Sequence, residues 1–171
     1  MIQRPPSTEY AHFYGTYIRT VPEAIDIVAL MDTSMKELVA FFKTVEKSKA
    51  NYRYAPEKWT IKEVLIHLID TERIMAYRAL RFARYDKAPL HGFDENEYVA
   101  AVNVTRRSVT SLLREYAAVR KASILLFKNF TIKQTENTGF ANNMLISVRA
   151  LAYIIVGHQY HHTNILKERY L

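Results

Sequence analysis

Apolar residues recur at alternating steps of three and four along four long stretches of this chain, a period that belongs to an α-helix burying one stripe. The sharpest boundary opens the second stretch. There Thr60 and Glu63 have the spacing of a capping box, with Trp59 and Val64 placed as a hydrophobic staple across the same turn. The seam then runs through Ile61, Val64, Leu68, Thr71, Met75, Arg78 and Phe82, predicting a helix from Thr60 to near Tyr85. The first stretch spans about Pro22 to Lys47, its proline suited to an opening turn, with Met31, Met35, Leu38 and Phe42 on its buried face. A third is expected over about Val104 to Phe127, through Leu112, Tyr116, Ser123 and Leu126, and a fourth over about Leu145 to Arg169.

Between these stretches, Asp86 to Ala101 reads as a connection of turn and cap residues with a short helical piece from Glu95, long enough to act as a lid or rim. The polar segment from Thr131 to Asn143 has Gly139 as its expected turn. Glycine and proline number only 4 and 5, too few for the many turns of a β-sandwich. The reading is an all-α four-helix bundle: one domain over residues 1–171, with residues 1–21 as an N-terminal extension packing on it.

The chain has no cysteine, which removes disulfides and thiolate metal sites and leaves histidine and carboxylate as possible ligands. The N-terminal segment, with Arg4, Pro5, Pro6, Glu9, His12 and Arg19, holds no apolar targeting core, and no run approaches the roughly eighteen apolar residues of a membrane span. A cytoplasmic location and no membrane partner are therefore expected. The net charge of +7 comes from 24 Lys and Arg against 17 Asp and Glu, favouring acidic small molecules in the long-range field. Bases and acids are interleaved, as in Lys62-Glu63 and Lys167-Glu168-Arg169, so no nucleic-acid partner is expected.

The chemistry concentrates in Gly157-His158-Gln159-Tyr160-His161-His162. His158 and His162 are four apart and stack on one helix face, inside an apolar stripe where an unpaired ring is costly. They either share one metal ion or are core histidines bonded to backbone or water. No Glu follows His158, so this is not the H-E-x-x-H motif of a zinc protease. His67 flanks the seam of the second helix and can lean inward, whereas His12 and His91 read as surface residues; spacing alone does not choose a third ligand.

The run from Tyr54 through Trp59-Thr60-Ile61-Lys62-Glu63 and His67 to Arg73 resembles the first signature of the DinB/YfiT-like family of metal-dependent enzymes, which is unrelated to the DNA polymerase sharing the name. Gly92-Phe93-Asp94 is similar to a second signature, and Arg149 through His158 to His161-His162 to a third, so the likeness covers the chain from about residue 54 to its end. The resemblance implies His67, His158 and His162 as ligands of one divalent metal, with His161 outside the ligand set. His91 stands where relatives usually carry proline, which alters the rim.

Three neutral imidazoles leave an ion with open positions, suited to catalysis, and zinc or nickel lead among the metals such a set can hold. The implied activity is a metal-dependent hydrolase of small amides or esters. Alternatives are an S-transferase receiving a low-molecular-weight thiol such as bacillithiol or glutathione, and a non-catalytic metal-binding stress protein. Asp70 is expected to orient His67, and Glu72 to pair with an arginine of another helix. Asp94 is a loop cap or a rim base, and with His161 forms the short list of acid–base candidates; Tyr77, Arg78 and Tyr153 read as packing residues. The aromatics Tyr10, Phe13, Tyr14 and Tyr17 are expected to be exposed and to form a homodimer interface.

Overall fold

The computed structural model describes residues 1–171. A short helix α1 (Gly15–Ile18) precedes the first long helix, α2 (Ile27–Thr44). The helix opens after Asp26 and not at Pro22, with the Asp26 side chain accepting from the Val28 and Ala29 amides as its cap. The reason is local: Ala24 has a left-handed φ of 51°, which no helix running from Pro22 can contain. Helix α3 (Ile61–Ala83) starts where expected, with both hydrogen bonds of the Thr60–Glu63 capping box in place. After α4 (Glu95–Ala101), the third long helix, α5 (Val109–Lys128), begins later than expected. Residues Val104–Arg106 make only a 3-10 turn, Arg107 is extended, and Ser108 takes the cap.

The polar segment differs most from its expected form. It holds a short helix, α6 (Ile132–Glu136), and an antiparallel hairpin of β1 (Thr138–Ala141) and β2 (Met144–Ser147). The hairpin turns at Asn142-Asn143, both with positive φ (52° and 59°) as a two-residue primed turn requires, and not at Gly139. Gly139 lies within β1, where a Cβ would fall 2.2 Å from the Phe82 ring. Leu145 is therefore strand, and the last long helix, α7 (Val148–Arg169), starts from the Ser147 cap. The hairpin also holds the connection after α3, because Leu90 exchanges backbone hydrogen bonds with Phe140 and Asn142.

Helices α2 and α3 each pack against both α5 and α7, so α2 sits diagonally across the bundle from α3, and α5 from α7, while α3 and α5 lie side by side. The interior is layered. One apolar cluster takes Met31, Phe82, Phe127 and Ile154; the other takes Leu38, Leu65, Leu112 and Leu166. Between them each long helix contributes buried polar residues: Ser34, Glu72, Arg120 and the pair His158 and Gln159. None of the helices is long and apolar enough to cross a membrane.

Candidate metal centre

Helix α3 supplies His67 to the polar layer, and α7 supplies His158 and, one turn later, His162. Their ring nitrogens converge: His158 Nε2 lies 2.9 Å from His67 Nε2 and 3.0 Å from His162 Nε2. A neutral imidazole nitrogen carries either one hydrogen or one lone pair. His158 Nε2 can thus make one well-aligned hydrogen bond but not two, and the other close contact is left without a hydrogen bond of its own. A cation among three inward lone pairs gives each of them a partner, so the donor set fits a metal. The cluster contains no carboxylate.

Burial keeps the rings uncharged. It pushes His67 down to about 4 and, with the neighbouring His67 and His161, His162 down to about 3. Burial likewise holds His158 well below the ordinary histidine value, aided by the other three imidazoles of the group and by Arg120. At neutral pH all three are free bases, the form that ligates. Thr71 Oγ1, 3.4 Å from His67 Nδ1, is placed to accept that ring's outer hydrogen. Asp70 does not do this: at i+3 it leans the other way and pairs with Arg73. Thr71, at i+4, shares the face of His67.

The histidines form the floor of a cavity of about 370 Å³. Trp59 packs on His67 with ring centroids 4.6 Å apart. From the opposite side Tyr17 meets His158 and His161 edge-on, at 5.2 and 5.3 Å. Tyr14 and Tyr17 are thus half-buried cavity wall and not exposed as expected, and of the four N-terminal aromatics only Phe13 is mostly exposed. Gly157 permits the approach, because a Cβ there would lie 2.1 Å from the Tyr17 carbonyl oxygen. The N-terminal segment is tied down by Glu9, which pairs with Arg149, and by Arg4, which donates to the carbonyls of Ile18, Val21 and Pro22.

Behind His158 the layer is closed. Arg120 Nε donates to both Glu72 carboxylate oxygens, at 2.8 and 3.0 Å, and its Nη1 to Ser34 Oγ and Gln159 Oε1. Gln159 in turn accepts from the Tyr116 hydroxyl and donates to the Ser34 carbonyl. Glu72 accordingly pairs with an arginine of another helix, as expected. That arginine, Arg120, follows Tyr116 by four and precedes Ser123 by three, so it continues the α5 stripe and was findable from that spacing.

The remaining candidates separate. His161 lines the cavity. Asp94 caps α4 through the Asn96 and Glu97 amides and is not among the cavity residues. His91 is exposed and contributes its carbonyl, which accepts from Arg78. Tyr153 is buried beneath Arg4, and Tyr77 is exposed beside Arg81. Arg78 departs from its expected packing role, since its buried side chain reaches the cavity.

A four-helix bundle enclosing a buried histidine triad defines a class, and sequence comparison supplies the family. The DinB superfamily model matches residues 30–166, and the chain belongs to that superfamily. No curated protein matches the sequence significantly. Among solved structures the fold is similar to YfiT from Bacillus subtilis, described as "a probable metal-dependent hydrolase with an unusual four-helix bundle topology". That likeness has a TM-score of 0.70 at 14% identity and covers 97% of this chain and 93% of YfiT.

Proposed function

We propose that this protein is a metal-dependent hydrolase of small amides or esters, with one divalent ion, zinc or nickel, held by His67, His158 and His162. The observation that carries the reading is the meeting of three neutral Nε2 atoms at the floor of an open cavity. When bound, the ion supplies Lewis acidity, polarising a carbonyl and acidifying water toward neutral pH. The chain's own residues do the rest. Thr71 fixes the tautomer of His67, Trp59 and Tyr17 clamp the rings and keep bulk water from two sides, and His161 lines the cavity where a proton is taken from or returned to the reacting group. The description of YfiT as a probable metal-dependent hydrolase supports the same assignment.

The test is elemental analysis of protein purified without a histidine tag, beside His67→Ala and His158→Ala, followed by an ester and amide screen with zinc- and nickel-loaded protein. One equivalent of metal in the wild type, absent from both variants together with any hydrolysis, is the expected outcome. A wild type that takes up no metal even after reconstitution overturns it.

A further inference from the structure

Two arginines are buried in the polar region of the bundle, and their surroundings differ. Arg120, 1% exposed, has both oxygens of the Glu72 carboxylate against its Nε; Arg78, 3% exposed, has no acid within ion-pair distance. Arg78 lies two turns beyond Thr71 on α3 and borders the cavity above the histidines. Its Nη2 donates to the His91 carbonyl at 3.0 Å, its Nη1 contacts the Met75 thioether at 3.8 Å, the Tyr14 hydroxyl stands beside the guanidinium, and the guanidinium carbon lies 6.0 Å from the centre of the Phe93 ring. Nε makes no hydrogen bond to the protein. Arg78 also borders a second pocket beside Tyr77, Arg81 and Tyr98, and since no sealed side-chain nitrogen or oxygen lacks a partner, its unused donors are open to the histidine cavity, to that pocket, or to both.

A guanidinium buried along its length with donors left over toward solvent-accessible space is ready to meet an anion. The only acid lining the cavity, Glu95, is exposed at its rim, and the three imidazoles are uncharged. A divalent ion on the floor would make the interior more positive still. The planar guanidinium fork matches the two oxygens of a carboxylate.

We infer that Arg78 is the anion-binding end of the cavity, so that the site takes a small molecule bearing a carboxylate or like oxyanion alongside the bond held over the three histidines. This rests on the proposed site but extends it to a substrate class. Arg78 positions the ligand by its anionic group, and the His91 carbonyl fixes the guanidinium from behind.

The probes are N-acetylglycine and its neutral analogue N-acetylglycinamide, which differ in the charge of one end. Binding is read from the fluorescence of Trp59, the single tryptophan and part of the cavity wall, in metal-loaded and in chelator-treated protein. The acid is expected to bind at least about tenfold more tightly than the amide in both forms, as a charge-assisted hydrogen bond implies. Arg78→Gln, which keeps a donor for the His91 carbonyl, should abolish the preference, and Arg78→Lys should retain part of it. Equal binding of the two probes by the wild type overturns the inference even if a variant fails to fold, as does an unchanged preference in folded Arg78→Gln. A preference confined to metal-loaded protein also overturns it, because the carboxylate is then on the metal. The chelator-treated arm needs no metal, so failure here is distinguishable from failure of metal binding in the elemental analysis.

Discussion

The polar layer of this bundle has two halves that meet at His158 and behave oppositely. Behind the ring, Arg120, Glu72, Gln159, Tyr116 and Ser34 meet each other's hydrogen-bonding needs within the protein. In front, the three Nε2 atoms crowd one another and Arg78 faces open space. The same helices α3 and α7 build both halves, so the difference is not one of fold. Buried polarity marks a ligand site only where donors and acceptors are left over; where they are used up, it specifies packing.

Breaking the closed half should have the largest effect. Glu72→Ala leaves the Arg120 charge buried without its carboxylate, and a loss of about 3–5 kcal/mol is expected in urea unfolding. The open half is reached through pH. In metal-free protein His67 is held down to about 4 by burial, against an ordinary value of 6.5. The unfolded state therefore binds the extra proton first as acid is added. The stabilisation is complete above pH 6.5 and is lost as pH falls from there to about 4, on the order of 3 kcal/mol for this residue. Urea midpoints measured across that window should fall with acid, and His67→Phe should flatten the slope; an unchanged slope contradicts the neutral-imidazole assignment.

Smaller effects sharpen the contrast. Gly157→Ala forces a methyl group against the Tyr17 carbonyl and should cost about 1–3 kcal/mol while exposing the N-terminal segment to protease, with the helix content unchanged. Arg78→Gln should change stability by less than about 1 kcal/mol, since it removes a buried charge that has no carboxylate partner. Equal losses for Glu72→Ala and Arg78→Gln would erase the distinction between the halves.

Local signals carried most of the bundle and part of the site. The Thr60–Glu63 box placed the start of α3, the i, i+4 spacing put His158 and His162 on one face, and a buried acid at Glu72 called for an arginine. What escaped was what no period encodes. The N-terminal turns carrying Tyr14 and Tyr17 are too short to have a stripe, so their aromatics read as surface. The Asn142-Asn143 turn is written in two residues that tolerate positive φ, a cue outweighed by the nearby glycine. Thr71 and Arg78 stand in the α3 seam, where spacing says buried but cannot say against what.

The way the N-terminal segment is seated has a consequence for how such a protein can change its diet. All three histidines, Trp59 and Arg78 fall within the matched residues 30–166, whereas Tyr14 and Tyr17 precede them. Gly157 meets the backbone of residue 17, not its side chain, so the seat is indifferent to which side chain is mounted there. The segment is in effect a faceplate: a different side chain at position 14 would reshape what is admitted, and one at position 17 would also remove the ring that braces His158 and His161.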